Sequence, residues 1–236
     1  MPRTEESLDA ILAAVLAGRG TSRGARDTGF DTRPLPPLPE WAATTVHRVK
    51  VSLHGAKPPV WRRLEVPSDL PLSMLHEGLQ TAFGWFDCHP HLFETACGEA
   101  GDPAHDDLWA RRVDESAVAL AQVAPSVKDT IGYVYDFGDQ WRHDIVVEAV
   151  LPAAPGVRYP RCTAARGVAP EEDSGGVRAF NGRQLNGHAN SPDELTRQLT
   201  GLAGIVVPAP SPMPVRLPGR RRRIPGRCPR RLQAAG

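Results

Sequence analysis

Alternation of apolar and polar residues predicts a β-hairpin early in the chain. Residues 46–53 alternate with a period of two, the period of a strand that has one buried face. Residues 55–59 begin with Gly55 and end in a proline pair, which indicates a turn. The chain returns over 60–66, with Val60, Arg62, Leu64 and Val66 on one face and Trp61, Arg63 and Glu65 on the other.

A helical period follows the hairpin. Residues 67–71, with Pro67, Ser68, Asp69 and Pro71, indicate a helix start, and Gly84 indicates its end. A hairpin followed by a helix across its face is typical of the opening of β-grasp folds, an analogy of fold that carries no function. One face of the predicted helix carries Leu72, Leu75, Leu79 and Phe83.

Further patterns complete the predicted domain. Residues 91–95 predict a third strand, and residues 131–151 predict a long hairpin that turns at Gly138-Asp139. Between them, 98–112 reads as a loop and 114–123 as a short helical segment. The sequence therefore predicts an α+β fold of antiparallel hairpins packed on one main helix, with flexible termini. The predicted core consists of Leu53, Leu64, Val66, Leu75, Leu79, Phe83, Phe93, Tyr135, Phe137, Ile145 and Val147.

The patterning divides the chain into three parts. Residues 1–40 hold a short amphipathic helix at 5–17 and a linker rich in Gly, Arg, Thr and Pro. The α+β domain is predicted over 41–176. Residues 177–236 predict a largely disordered, basic tail rich in Pro and Arg, apart from a weak helix at 192–203.

Composition narrows the class of protein. The net charge is +1, 41% of the residues are hydrophobic and 23% are charged, as in ordinary soluble proteins. No apolar run approaches the roughly 20 residues of a membrane span, and the N-terminus lacks the pattern of a secretory leader. The cysteines have no paired spacing, which indicates free thiols in a protein of a reducing compartment. We therefore predict a cytoplasmic protein without a membrane partner. The cysteines are Cys88, Cys97, Cys162 and Cys228.

The segment after the main helix offers candidate metal ligands. His89 and His91 are two residues apart on an extended segment, so their side chains point to the same face. Together with Asp87 they predict a site for a divalent transition metal. The alternative is structural, with one imidazole hydrogen-bonded and the other exposed. Asp139 and His143 on the later hairpin are candidate distant ligands.

The turn at 136–139 has two readings. Asp136-Phe137-Gly138 matches a kinase motif, but the chain lacks the glycine-rich and His-Arg-Asp loops of a kinase. In a hairpin, Gly138 would supply a positive φ, and Asp136 and Asp139 would bond to turn amides. By residue type alone, Asp139 and His143 are also candidates for general acid/base catalysis.

Two regions combine features of nucleic-acid binding. Trp61, Arg62 and Arg63 place an aromatic ring beside two guanidinium groups, which is typical of sites that stack bases or clamp phosphates. The same residues also stabilise sheets, because Arg stacks on Trp. The arginines of the tail either bind nucleic acid electrostatically or form a solvated, unstructured end of the chain. They are Arg220, Arg221, Arg222, Arg223, Arg227, Arg230 and Arg231.

Three stretches together resemble one known family. They are Lys50–Gly55 with Pro58–Pro67, then Leu75-His76, Leu79-Gln80, Ala82–Trp85, Asp87, His89, His91 and Phe93, and finally Tyr135–Asp139 with Trp141–His143. Over roughly residues 46–176 this pattern resembles the plasmid Ri Orf-three-like domain family, a bacterial group common on mobile elements. Some members of that family are labelled TnpR-like or insertion-element passenger proteins.

The resemblance implies an α+β domain with no established activity. A serine recombinase, which the TnpR label suggests, needs a nucleophilic serine among arginines, and none can be assigned in this chain. Relatives carry three cysteines where this chain has Cys162, Ala169 and Ser174. Because a structural zinc site takes four ligands, a thiolate-rich site is not expected here. The tail differs from the family's ending.

Three functions follow from these observations. The first is a binding module, linked to mobile elements, whose partner is a protein or a nucleic acid. The second is a hydrolytic enzyme that uses the segments 87–91 and 136–143 around a metal or as acid and base, which requires those side chains to converge in one cleft. The third is a purely structural domain in which these residues fix turns and core.

Overall fold

A single mixed sheet organises the part of the chain that the computed structural model describes, residues 34–104, 112–183 and 190–202. The strands are β1 (Thr45–Leu53), β2 (Trp61–Pro67), β3 (His91–Thr95), β4 (Gly98–Gly101), β5 (Val113–Asp114), β6 (Thr130–Tyr135), β7 (Trp141–Pro152) and β8 (Arg161–Arg166). The α-helices are α1 (Leu72–Phe83), α2 (Leu120–Val123), α3 (Gly176–Gly182) and α4 (Pro192–Leu202), with 3-10 helices at Glu40–Thr44 and Glu115–Ala117.

The strands follow the order β5-β4-β3-β6-β7-β1-β2-β8. All neighbours are antiparallel except β4 and β5, which are parallel. In the middle of the sheet, Val51 on β1 lies opposite Arg62 on β2 and Ile145 on β7. Both predicted hairpins, β1–β2 and β6–β7, are confirmed, and so is the α+β fold.

Helix α1 closes one face of the sheet. Its predicted apolar stripe is fully buried and joins the same core as residues of β1 and β7. Burial of each leucine side chain contributes roughly 1.5–3 kcal/mol. The helix ends at Gly84, whose φ of 76° is the left-handed conformation that ends many helices, and whose N–H donates to Gln80 O at 2.8 Å. The predicted helix bounds are therefore confirmed.

Some predicted positions are wrong. Of the predicted core, every residue is buried except Phe137, which is only half-buried and lies under the Arg112 guanidinium. Strand β4 lies in a segment predicted to be a loop, and β8 lies in a segment predicted to be irregular. Both strands are short and near the ends of the sheet, so their sequences need no alternation of apolar and polar residues.

The ordered domain continues beyond the predicted boundary at residue 176. In α4, Leu195 and Leu199 are buried in the main core, as is Phe180 of α3. Thr196 Oγ1 also bonds to both the N–H and the carbonyl of Cys162, each at 3.0 Å. The predicted helix at 192–203 is thus confirmed, as part of the domain and not of a tail.

The predicted helix at 5–17 and the arginine run after residue 219 lie outside the described residues. In the part of the chain that is described, no helix has the length and apolar character needed to cross a membrane.

Candidate metal-binding cleft

A cleft of about 210 Å³ opens beside the first turns of α1. Helix α1 supplies one wall with residues three and four apart, which share a helix face. The segment after α1 supplies the second wall, and Glu115 closes the end. The described lining residues include no Lys or Arg, and they are Ser73, His76, Glu77, Asp87, Cys88, His89, Pro90, His91, Asp102 and Glu115.

A closed ring of hydrogen bonds fixes His76. The Asp87 N–H donates to Gln80 Oε1 at 3.1 Å, and Gln80 Nε2 donates to the Tyr133 hydroxyl at 3.0 Å. The hydroxyl then donates to His76 Nδ1 at 2.8 Å, and His76 Nε2 donates to Asp87 Oδ1 at 2.9 Å. Burial raises the pKa of Tyr133 well above its usual value, so its proton stays in the ring. His76 is therefore neutral, with its proton on Nε2.

His91 lies against His76 in the same wall. The two imidazole rings stack with centroids 3.5 Å apart and planes 5° apart, and His91 Nε2 bonds to Glu115 Oε2 at 2.8 Å. Burial lowers the pKa of His76, and the neighbouring His91 lowers it further. Two like charges would repel strongly at this distance, so the stack disfavours a positive charge on His76.

His89 belongs to a different group of side chains. Its Nε2 lies 3.2 Å from Asp173 Oδ1 and 3.9 Å from Asp136 Oδ2. This nitrogen is shielded from solvent and has no hydrogen-bond partner among the described residues. Two groups of potential ligands therefore lie side by side. His76, Asp87 and His91 all line the cleft, whereas in the group of His89, Asp136 and Asp173 only His89 lines it and joins the two.

The turn between β6 and β7 positions Asp136. Its Oδ1 accepts from the N–H of Gly138 at 2.8 Å and of Asp139 at 3.2 Å, which leaves Oδ2 facing His89. The positive φ values fall on Asp136 and Gln140, both at 56°, and not on Gly138 as predicted. A Cβ at Gly138 would lie 3.2 Å from Asp136 Oδ1, so a side chain there would have to displace this carboxylate by a few tenths of an ångström.

The loop of residues 170–176 positions Asp173. Trp85 Nε1 donates to Pro170 O at 2.9 Å, and Glu172 accepts from the Phe86 N–H and the Tyr135 hydroxyl. At the other end, a Cβ on Gly176 would lie 2.6 Å from Asp139 O, so only glycine permits this close approach. The loop is thereby fixed against both the segment after α1 and the β6–β7 turn.

The structure divides the predicted metal ligands. Asp87 and His91 lie with His76, whereas His89 lies with Asp136 and Asp173. Sequence reasoning missed His76, because it sits within the apolar stripe of α1, and Asp173, because nothing local links it to His89; Asp136 was predicted only to bond to turn amides. The segments 87–91 and 136–143 approach each other at His89 and Asp136, 3.9 Å apart, but no residue of 136–143 lines the cleft as the hydrolytic prediction requires.

The predicted acid/base pair is not brought together. His143 is fully buried, and its Nδ1 donates to Trp141 O at 3.0 Å. Burial lowers the pKa of His143 to about 3. Asp139 instead accepts from the Gly175 N–H at 2.9 Å. Since His143 has no access to a substrate, its prediction as a general acid or base is wrong, and Asp139 has a structural contact that accounts for its position.

The predicted nucleic-acid residues lie on opposite faces of β2. Arg62 is 3% exposed and donates to four backbone carbonyls, so the prediction that it contacts nucleic acid is wrong. Trp61 lies on the outer face between the Lys50 ammonium at 5.3 Å and the Arg63 guanidinium at 5.4 Å. Arg63 also pairs with Glu148 at 2.5 Å. The nucleic-acid contact of Trp61 and Arg63 stays a prediction.

Fold and cleft together define an α+β domain with a cleft lined by histidine and carboxylate side chains. The chain belongs to the plasmid pRiA4b ORF-3-like protein family, whose model matches residues 45–200. The match confirms the resemblance found in the sequence and extends it through α3 and most of α4.

Two relatives give the same picture. The chain is 39% identical over 138 residues to the uncharacterized protein y4hQ of Sinorhizobium fredii (strain NBRC 101917 / NGR234). The aligned region covers 56% of this chain and 68% of y4hQ. It is also similar to the crystal structure of a protein of unknown function, MM3350, from Methanosarcina mazei Go1. The TM-score is 0.55 at 34% identity, over 59% of this chain and 79% of the other. Neither name assigns an activity.

Proposed function

We propose that this domain is a binding module and that its ligand is a divalent transition-metal ion held in the cleft. The observation that carries the proposal is the lining itself, which combines three imidazoles with four carboxylates and has no Lys or Arg among its ten described residues. Imidazole nitrogen and carboxylate oxygen are the donors that Zn²⁺ and Mn²⁺ use in proteins.

The charge of the lining supports a cationic ligand. Glu77, Asp87, Asp102 and Glu115 contribute negative charge, and a cleft of one sign concentrates ions of the opposite sign. The same field repels phosphate groups. A nucleic-acid partner would therefore bind elsewhere, as the sequence predicts for Trp61 and Arg63, and a gel shift at low salt with Trp61→Ala tests that branch.

Metal content tests the proposal directly. The full chain is purified without chelators or a His tag, incubated with ZnCl₂ or MnCl₂, desalted and measured by elemental mass spectrometry. We expect close to one ion per chain, and loss of that ion in His89→Gln/His91→Gln. His54→Gln is the matched control, since this imidazole is 63% exposed and outside the cleft. Absence of metal in the unaltered protein, or metal retained by the double variant, would reject the proposal.

A hydrolytic enzyme is the second candidate. The specific observation in its favour is that His76–Asp87 and His91–Glu115 each join an imidazole to a carboxylate, the arrangement that orients a general base. Because the lining is acidic, an uncharged ester such as p-nitrophenyl acetate is the suitable probe. Equal rates for the unaltered protein and Glu115→Gln would remove this candidate.

A further inference from the structure

We infer that the ion of the proposed metal module binds at His89, Asp136 and Asp173, and not at the stacked pair His76 and His91. The inference rests on the proposed function and assigns its site. The first observation is His89 Nε2, which is shielded from solvent, makes no hydrogen bond among the described residues and has only ion-pair contacts with two carboxylates. A buried polar atom without a hydrogen bond is costly, and a bound ion is one of the explanations for it.

The separations of the donor atoms fit a shared ion. Metal–nitrogen and metal–oxygen bonds of about 2.0–2.2 Å place neighbouring donors roughly 3 Å apart. His89 Nε2 lies 3.2 Å from Asp173 Oδ1 and 3.9 Å from Asp136 Oδ2, and one ligand atom from each of the three side chains lies within 4.8 Å of the other two. With both carboxylates ionised, the group also neutralises a divalent cation.

The two carboxylates are positioned before any ion arrives. Asp136 is fixed through Oδ1 by the turn amides, and Asp173 lies in a loop whose neighbours Glu172 and Gly175 are hydrogen-bonded to other segments. Both aspartates also have positive φ, 56° and 53°. This conformation is uncommon outside glycine, and its presence at both positions shows that the surrounding contacts determine the backbone there.

The stacked pair is a poor site by comparison. An imidazole binds a metal close to its own ring plane, and the rings of His76 and His91 are stacked with centroids 3.5 Å apart and planes 5° apart. An ion in the plane of one ring would lie out of the plane of the other, so the stack would have to open for both rings to bind one ion. Both Nε2 atoms also already donate to carboxylates, and His76 Nδ1 is occupied by Tyr133. These histidines are satisfied without an ion.

The assigned site keeps a coordination position open. Three protein ligands are fewer than the four of a closed structural zinc site and match sites that also hold water or a ligand. The Asp173 side chain is 77% exposed, so the open position faces solvent. The ion would therefore be able to exchange and to take a further ligand from solution.

Paired substitutions test the assignment. Isothermal titration with ZnCl₂ and with MnCl₂ compares the full chain with Asp173→Asn, His89→Gln and His76→Gln, and Asp69→Asn on an exposed turn is the matched control. We expect Asp173→Asn and His89→Gln to weaken affinity at least tenfold, and the other two to change it less than threefold. Thermal unfolding of each variant checks that it is folded, and exposed Asp173 gives a variant that should fold regardless.

The outcomes separate the two claims. No uptake by the unaltered chain defeats the proposed function, and the site assignment falls with it. Uptake that survives both Asp173→Asn and His89→Gln but is lost in His76→Gln defeats the assignment alone and leaves the module a metal binder. Uptake that depends on His89 and Asp173, with His76→Gln near the unaltered protein, supports both.

Discussion

At the scale of single residues, His143 shows how a polar side chain becomes part of an apolar core. The rings of Phe83, Trp85 and Tyr133 surround it with centroids 4.6–5.5 Å away. Its Nδ1 is bonded to a carbonyl, and its Nε2 has no partner among the described residues. Only the neutral imidazole fits there, because a charged one would lack both water and a counter-ion.

His143 therefore makes stability depend on pH. Its pKa is about 3 in the folded chain and about 6.5 when unfolded, so the unfolded state binds more protons between these values. The contribution of His143 to the free energy of unfolding is fully present above pH 6.5 and decreases as the pH falls. At pH 4.5 this decrease amounts to about 2–3 kcal/mol. Urea unfolding at pH 7 and at pH 4.5 should show that His143→Phe loses less stability between these two pH values than the unaltered protein does.

Other buried histidines also contribute to the acid sensitivity of the fold. Burial also lowers the pKa values of His47 and His76, so some acid sensitivity should remain in His143→Phe. His54→Gln, on the surface, should keep the full dependence. If His143→Phe and the unaltered protein lost the same stability between pH 7 and pH 4.5, His143 would not be a source of the acid sensitivity.

Arg62 is the second residue whose burial decides its role. Its guanidinium donates to the carbonyls of Ala82, Trp61, Arg166 and Gly167, and so connects the end of α1 to β2 and β8. Arg62→Met leaves these buried acceptors unpaired and should destabilise the fold by about 3 kcal/mol. Arg63→Met, on the outer face beside it, should cost less than about 1 kcal/mol by urea unfolding. Equal costs would show that the carbonyl contacts contribute little.

The sequence predicted the face of Arg62 but not its function. The alternation in β2 correctly placed Arg62 with Leu64 and Val66, all of which are buried. The guanidinium of Arg62 itself allowed two predictions, contact with nucleic acid and stacking on Trp within the sheet. Only the approach of the 166–167 backbone, some 100 residues later, turns that position into an enclosed one.

At the scale of elements, α4 is what the domain gains beyond its predicted end. The helix packs on β8 and α1 through Leu195 and Leu199, which are 1% and 0% exposed. It thereby covers the sheet edge at β8, where unpaired backbone groups would otherwise be open to other chains.

Truncation of that contact should be costly. Leu199→Ala removes a fully buried side chain and should destabilise the protein by about 2–4 kcal/mol. Arg197→Ala, on the opposite side of the same helix and 69% exposed, should change stability by less than about 0.5 kcal/mol. Urea midpoints of the two variants make the comparison. Similar midpoints would mean that α4 is only loosely attached.

Elements with strong periodicity were predictable, and elements defined by their neighbours were not. Strands β1 and β7 and helix α1 each bury one face, so their sequences carry a period. Strand β8 instead reads Arg-Cys-Thr-Ala-Ala-Arg and is a strand because β2 lies beside it. The prolines on either side of β8 made the sequence predict an irregular segment there.

At the scale of the whole molecule, metal binding should be coupled to stability. The proposed ligands converge only in the folded chain, so an ion that binds there stabilises the native state. At a free Zn²⁺ concentration 100 times the dissociation constant the gain is about 2.7 kcal/mol. Differential scanning calorimetry should therefore show a higher Tm with ZnCl₂ for the unaltered protein. The shift should be clearly smaller in Asp173→Asn, and a shift of equal size there would contradict the coupling.

The candidate site was only partly predictable for a related reason. His89 stood out as a candidate ligand because it lies in a segment dense in polar residues, whereas Asp136 was predicted only to bond to turn amides. Asp173 did not stand out, since it is an ordinary acidic residue in an irregular stretch. Three-dimensional closure of the loop over the β6–β7 turn, through Gly176 and Asp139, is what makes it a candidate ligand.

The spacing of the proposed ligands along the chain has a consequence for biosynthesis. Residues 89, 136 and 173 belong to three segments that meet only after long stretches of chain have been joined. Contacts of such high sequence separation form late in folding. A ribosome adds about 5–20 residues per second, so a nascent chain holding His89 waits several seconds for Asp173 to be made. The ion therefore cannot guide the early folding of this protein; it can bind at the complete site only after residue 173 has been made.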